Sequence, residues 1–289
     1  METIYQFCSQ KSEVIRGFDQ LGFKWKKRYL IEVFEGIEGV KELRNLPDVV
    51  KRSDVIEFFK NKNYYHGFLS ALIWGGISTR PSKGHKGDKL TSNAYKVLSL
   101  PKGVILDIME KVAHEINNKE YSKAYKLLAL DNKIPGLNVS FFTKILFFIS
   151  ESSDSSSRLT EENMRLLIYD KWTKLIHLLL LLESNETERI EKYFGENYLK
   201  RFFPKTINAK ETNLVYCKSR FECESYLDYC ARLNKLAWEL TENVNLKVDP
   251  GQLESFLFGV SSNTKKNLVS KNRQVIREKI KYYISRGEK

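Results

Sequence analysis

The sequence contains few residues that interrupt helices or bind metals. Only six of its 289 residues are proline and only four are histidine. Because proline breaks a helix interior, its scarcity leaves long segments free to be helical. The histidines have no recognisable metal-site or catalytic-triad spacing. His177 lies in an apolar helical run, where a hydrogen-bonded core histidine is expected.

Cysteine is also scarce, and its spacing argues against a metal centre. Cys217, Cys223 and Cys230 form a C-x5-C-x6-C pattern. Iron–sulfur clusters take four cysteine ligands, and here both a C-x2-C pair and a suitable fourth ligand are missing. We therefore expect reduced thiols, as in the cytoplasm, with no metal and no cofactor.

Signals for export and membrane insertion are missing too. The N-terminus METIYQFCSQ has no basic segment followed by an apolar core, so no signal peptide is expected. The most apolar run, LIHLLLLL at 175–182, is far shorter than the roughly 20 residues of a membrane span. These features predict a cytoplasmic protein that does not enter a membrane, with this run as a buried core helix.

Positive charge is what the sequence has in excess. The formal net charge is +12, and residues 261–289 hold nine Lys or Arg against two Glu. Such an excess favours a polyanionic partner, with nucleic acid first and an anionic membrane surface second. A basic protein without such a partner, ending in a solvated basic helix, is the alternative.

Helical periodicity dominates the chain and predicts a mainly α fold. Apolar residues recur at spacings of three and four in 104–116, 119–130, 139–150, 161–183 and 224–242. Asp249-Pro250 is suited to begin a further helix, with Asp249 as its cap and Pro250 in the first turn. A short β element is expected near 24–34, and no internal repeat is present.

Two polar segments, 78–92 and 151–157, have the composition of surface loops. Lysines of the first loop and basic residues near the C-terminus are candidates for phosphate contacts. These candidates are Lys83, Lys86, Lys89, Lys265, Lys266, Lys271 and Arg273.

The stretch IPGLNVSFFTKILFFIS at 134–150 places a Pro-Gly turn directly before an apolar helix. The first N–H groups of a helix have no partner within it, and the helix dipole is positive there. Such a helix start can bind a phosphate group. The predicted helices 119–130 and 139–150, joined by the turn 131–138, could therefore hold a DNA backbone, although most such turns only connect helices.

Together these motifs resemble the helix-hairpin-helix DNA glycosylases, and most closely the bacterial branch with the 8-oxoguanine DNA glycosylase fold. The motifs are ALIWGGI at 71–77, PGLNVSFFTK at 135–144, LLIYD at 166–170 and QLESFLF at 252–258. The resemblance implies two helical lobes with a cleft between them. It suggests an N-terminal extension packed on the core at 1–60, a glycosylase-like core at 61–260 and a basic C-terminal helix at 261–289.

The resemblance also assigns roles to individual residues. Asp170 matches the essential aspartate that follows the family's hairpin, with an interval about ten residues longer. Capping of the next helix is its structural alternative. Asn138 replaces the second hairpin glycine, which Asn can do because it tolerates left-handed backbone. Ser140 aligns with the Schiff-base lysine of bifunctional members, so a monofunctional enzyme is expected unless Lys144, one turn later, takes that role.

A flipped base would need a pocket of aromatic or apolar side chains. Trp74, Gly75 and Gly76 are the first candidates, followed by Phe256 and Phe258, and all are equally suited to a core. Gly136, Asn138 and Ser140 are the candidates for hairpin contacts with DNA.

The predicted function is release of a modified base from double-stranded DNA by a monomer. Some members of the branch act in defence against phages with modified bases, so phage DNA is one candidate substrate. A non-catalytic DNA-binding protein is the first alternative. A helical protein whose basic tail binds membrane or RNA is the second.

Overall fold

The structure is a computed structural model that describes residues 2–18, 22–80, 88–131, 134–153, 164–195, 217–244, 247–258 and 271–287. It is mainly helical, as the sequence predicts. No helix within these ranges is both long enough and apolar enough to cross a bilayer.

The chain forms two compact units. The discontinuous unit comprises Met1–Asp19 and Leu159–Lys289, and the continuous unit comprises Gln20–Arg158. The N-terminal residues join the discontinuous unit because the Phe256 ring stacks on Phe7 at 5.9 Å and meets Phe18 edge-on at 5.8 Å. The division at residues 60 and 260 that the sequence suggested stays a prediction.

The continuous unit holds two short strands and eight α-helices among its described residues. They are β1 (Phe23–Lys24), α3 (Lys27–Val33), α4 (Glu38–Leu43), β2 (Val49–Val50), α5 (Arg52–Lys60), α6 (Tyr64–Trp74), α7 (Asn93–Leu98), α8 (Lys102–Asn117), α9 (Tyr121–Lys126) and α10 (Val139–Ser152). Helix α9 continues into one π-type turn, Leu127–Asp131. Helices α5, α6, α8 and α10 pack around the core of this unit.

The β element of the continuous unit differs from the prediction. Strand β1 pairs antiparallel with β2, so that Phe23 lies opposite Val50. The chain leaves the sheet after Lys24 and forms helix α3 from Lys27. The short β element expected near 24–34 is therefore limited to Phe23–Lys24, because the apolar residues Leu30 and Phe34 are spaced for a helix and are buried on one side of it.

The discontinuous unit consists of helices packed around α11. Its α-helices are α1 (Ile4–Ser9), α2 (Ser12–Arg16), α11 (Thr173–Glu183), α12 (Thr187–Phe194), α13 (Glu222–Val244), α14 (Pro250–Phe258) and α15 (Lys271–Gly287). Helix α11 packs against α12, α13, α14 and α15 and carries the run predicted to be a core helix. Asp249 Oδ1 accepts from the N–H of Gln252 at 3.0 Å, which confirms the predicted cap.

The predicted helix over 161–183 is present only in its second part. Residues 164–169 have no regular secondary structure, and α11 begins at Thr173. Backbone groups outside a helix need other partners when buried. The partners here are the side chains of Asn234 and Glu254, which are distant in sequence. Local periodicity cannot predict such partners.

Candidate functional site

The Pro-Gly turn of the hairpin depends on its glycine. Gly136 has φ +87°, a left-handed conformation that side chains disfavour. A Cβ at Gly136 would lie 2.7 Å from the backbone oxygen of Asn93 and 3.2 Å from Lys96 Cβ. The turn is therefore held against the first turn of α7, and only glycine fits there.

Asn138 has a different role from the one predicted for its backbone. Its φ is −106°, so the left-handed conformation is at Gly136 and not here. The Asn138 side chain instead caps α10 by accepting from the N–H of Phe141 at 3.3 Å. Within the described residues, the N–H groups of Val139 and Ser140 have no acceptor. Two donors at the start of α10 are thus free for an anion.

Helix α10 brings Ser140 and Lys144 together beside Gly75. Lys144 Nζ donates to the Ser140 carbonyl oxygen at 2.8 Å and to Ser140 Oγ at 2.9 Å. A Cβ at Gly75 would lie 3.0 Å from Lys144 Cδ and 2.9 Å from Phe141 Cε1. Gly75 therefore allows the buried Lys144 stem to pass the end of α6.

Of the other two residues of the Trp-Gly-Gly motif, Trp74 is buried and Gly76 is exposed. Trp74 is buried and meets Phe148 edge-on at 5.1 Å, within the core of the continuous unit. Gly76 has φ +69° and ends α6 with a sharp turn. The motif thus packs against the hairpin helix, an association that the sequence order alone did not predict.

Side chains of α13 and α14 hold the irregular segment 164–169, which leads to Asp170. The N–H of Arg165 donates to Asn234 Oδ1 at 2.9 Å, and the N–H of Ile168 donates to Glu254 Oε1 at 2.9 Å. Tyr229 donates its hydroxyl to the same Glu254 oxygen at 2.9 Å. The buried Glu254 is thus a positioning residue that sequence reasoning missed, although its acidic side chain within an apolar helix was a signal.

Asp170 follows this segment, and its side chain caps the start of the next helix. Its Oδ1 accepts from the N–H groups of Trp172 at 2.7 Å and Thr173 at 3.1 Å. Among the described residues, no group donates a hydrogen bond to Oδ2. Oδ1 therefore caps α11. Because Asp170 is partly exposed, Oδ2 remains available to a substrate.

Arginine side chains from α15 stack on the aromatic residues next to Asp170. The Arg273 guanidinium lies 4.4 Å from the Trp172 ring centre and 4.3 Å from that of Phe258, and Arg277 lies 5.0 Å from Trp172. Burial lowers the pKa of Arg273, and the charge of Asp170 opposes that shift. The sequence analysis did not predict roles for Trp172 and Arg277. The i,i+4 spacing of Arg273 and Arg277 was a signal, because it puts both arginines on one helix face.

A buried polar network contacts Tyr169, the residue that precedes Asp170. His177 is fully buried, and its Nε2 donates to Asp228 Oδ2 at 2.8 Å. Burial lowers the pKa of His177, and its Nδ1 lies within hydrogen-bond distance of the Tyr169 hydroxyl, at 3.1 Å. Burial would raise the pKa of Asp228, but hydrogen bonds from His177 and Arg232 bring it to about 2. The core role predicted for His177 is confirmed.

The remaining predicted site residues divide between the two units. Phe256 is buried between Phe7 and Phe18, whereas Phe258 lies beside Arg273. Lys89 begins a 3₁₀ turn and Lys271 begins α15. Lys83, Lys86, Lys265 and Lys266 lie outside the described residues.

Within the described ranges, no group of three or more His, Cys, Asp or Glu could hold a metal ion.

Comparison with known proteins identifies the family of the chain. A family model described as "Putative 8-oxoguanine DNA glycosylase OGG-like protein" matches residues 17–258. Searches of curated proteins and of solved structures gave no match. The family match spans most of the chain and contains all four glycosylase motifs. The chain therefore belongs to this OGG-like family, which supports a general role as a DNA glycosylase.

Proposed function

We propose that the protein is a monofunctional DNA glycosylase that flips a modified base out of double-stranded DNA and hydrolyses its N-glycosidic bond. The observation that carries the proposal is the state of the Asp170 carboxylate. Its Oδ1 is held by two backbone N–H groups, and Oδ2 accepts no hydrogen bond from the described residues. A carboxylate fixed by one oxygen can present the other to a substrate.

The chemistry assigned to Asp170 follows from the charge that develops in the reaction. Cleavage of the C1′–N bond sends the bonding electrons to the departing base and leaves oxocarbenium character on the sugar. A negative charge close to C1′ stabilises that state. Water then adds to C1′, and Asp170 accepts its proton as a general base.

Hydrolysis by water is favoured over Schiff-base chemistry by the residues of α10. Ser140 occupies the position that aligns with the lysine of bifunctional relatives, and its hydroxyl cannot form a Schiff base. The Lys144 amine is buried and donates to two oxygens of Ser140. An amine held in this way is poorly placed to attack a sugar, which supports a monofunctional enzyme.

The hairpin is proposed to hold the DNA backbone during this reaction. The free N–H groups of Val139 and Ser140 at the start of α10 suit one phosphate, and the helix dipole adds to their attraction. Gly136 and Asn138 shape that helix start, so their proposed role in DNA binding is to position these donors.

Each unit also offers a proposed contact for the bases of the bound DNA. In the discontinuous unit the proposed contact is Phe258, with Phe256 as its buried neighbour in α14. In the continuous unit it is the turn Gly75–Gly76, which the buried Trp74 supports. Aromatic rings and bare backbone both allow a base to approach closely.

The substrate is proposed to include modified bases of phage DNA, and the enzyme is proposed to act as a monomer. The test is mass analysis of bases released from modified phage DNA and from duplexes that contain 8-oxoguanine. Release of a modified base supports the glycosylase, and the identity of the base separates defence from repair. Binding to both DNAs without any release would instead identify a non-catalytic DNA-binding protein.

A further inference from the structure

A basic and aromatic segment, FKWKKRY at 23–29, lies outside the four glycosylase motifs. Residues 24–29 of this segment line a shallow, open groove of about 840 Å³ in the continuous unit. Trp25 anchors the segment, because its ring is buried and its Nε1 donates to the Pro47 carbonyl oxygen at 2.7 Å. We call residues 23–29 together with Arg44 the basic strip.

The charges that line the groove do not balance. Its two carboxylates are already engaged, since Asp48 pairs with Lys27 at 3.6 Å and Glu32 pairs with Arg28 at 2.7 Å. Lys24, Lys26 and Arg44 are exposed and have no carboxylate partner among the described residues. Three unneutralised cations around one groove repel one another, and a polyanion would relieve that repulsion.

The basic strip adjoins the Trp-Gly-Gly turn within the same unit. The ring of Phe23 is 42% exposed and lies 3.8 Å from the position of a Cβ on Gly76. Tyr29, at the other end of the strip, is also 42% exposed. Exposed aromatic rings next to basic side chains are typical of surfaces that bind nucleic acid strands, because bases can stack on the rings.

We propose that the basic strip is a second DNA contact, which binds phosphates of the strand that passes the Trp-Gly-Gly turn. This inference rests on the proposed function in taking DNA as the partner. A concave groove lined by cations fits a strand, whereas a membrane surface is bound by an amphipathic helix with a broad apolar face. The strip would extend the backbone contact beyond the single phosphate at the start of α10.

The test compares two variants in which the same amount of positive charge is removed. One carries Lys24→Gln, Lys26→Gln and Arg44→Gln. The matched control carries Lys60→Gln, Lys111→Gln and Lys119→Gln, which are exposed residues of the same unit. Affinity for an undamaged duplex is measured by fluorescence anisotropy across a salt titration. The log–log salt slope should become shallower by about 0.9 for each phosphate that the strip variant no longer binds, and it should stay near the parent value in the control.

Equal slopes in the two variants would contradict the proposal that the basic strip binds DNA. So would a strip variant that keeps its DNA slope but no longer binds vesicles containing phosphatidylserine, because that result assigns the surface to a membrane. The single variants Lys24→Gln and Arg44→Gln, each expected to change the slope by about 0.9, apply if the triple variant melts early. Base release by the parent protein is measured separately. If the parent releases a base but the two variants have equal slopes, only the proposal for the basic strip is wrong. If the slope changes only in the strip variant but no base is released, only the proposed glycosylase activity is wrong.

Discussion

Asp170 and Thr173 bind each other reciprocally at the start of α11. The backbone N–H of Asp170 donates to Thr173 Oγ1 at 2.8 Å, and the backbone N–H of Thr173 donates to Asp170 Oδ1 at 3.1 Å. This exchange matches a capping box, which satisfies two backbone donors at once. It fixes the carboxylate through one oxygen, so capping and catalysis are compatible roles for Asp170.

Asp170→Asn should abolish base release while it preserves the fold. The amide oxygen of Asn can accept the same two N–H bonds, but the negative charge near the sugar is removed. Removal of such a transition-state contact costs on the order of 100- to 1000-fold in rate. Single-turnover release of the modified base measures the effect, and thermal melting checks the fold.

Asp249→Asn is the matched control, because Asp249 Oδ1 caps α14 through the N–H of Gln252 in the same unit. It makes the same chemical change at a helix cap that is not one of the proposed site residues, so its release rate should equal that of the parent. Full activity in Asp170→Asn would reduce Asp170 to a helix cap.

Borohydride should trap no covalent adduct between the protein and DNA during base release. Trapping requires a Schiff base, and the Ser140 hydroxyl cannot form one. Denaturing gel electrophoresis with labelled DNA measures the adduct. If an adduct appears and Lys144→Gln removes it, the chemistry belongs to Lys144 and the enzyme is bifunctional.

Gly136→Ala should lower the thermal stability of the protein. The new Cβ would lie 2.7 Å from the Asn93 backbone oxygen, at a residue with φ +87°. Strain of this kind costs on the order of 1–3 kcal/mol. Gly103→Ala is the control, because Gly103 lies in α8 with nothing within 4 Å of its added Cβ. It should raise stability slightly, by about 0.5–1 kcal/mol. Equal melting temperatures would contradict the turn geometry.

Glu183 should make stability depend on pH. Its carboxylate accepts from the N–H of Ile4 at 2.8 and 3.0 Å, and burial raises its pKa from 4.5 to about 7. The folded protein therefore binds more protons than the unfolded chain between these values. The resulting stability is present below about pH 4.5 and is lost as the pH rises through about 7.

Glu183→Gln isolates this effect, because it removes the Glu183 carboxyl and leaves every other titratable residue in place. The difference in unfolding free energy should move in favour of the variant as the pH rises from 4.5 to 7. Denaturant unfolding at several pH values measures it. A difference that stays constant over this range would show that Glu183 does not titrate there.

The sequence by itself determined the helical class, the positions of several of the longer helices and the family. Periodic apolar residues predicted the helices that became α8, α10 and α13, and Asp249-Pro250 marked the start of α14. The spacing of apolar residues along a helix is a local property, so the chain records it directly. The motif order was also sufficient to indicate the glycosylase family.

Only the tertiary structure decided the conformation that leads to Asp170. The apolar residues of 166–169 fit a helical pattern, yet residues 164–169 form no helix, because Asn234 accepts from the N–H of Arg165 and Glu254 accepts from the N–H of Ile168. The same limit applies to Gly136, whose left-handed turn is held against Asn93 of α7. Contacts between residues far apart in sequence determine these conformations, and local spacing contains no information about such partners.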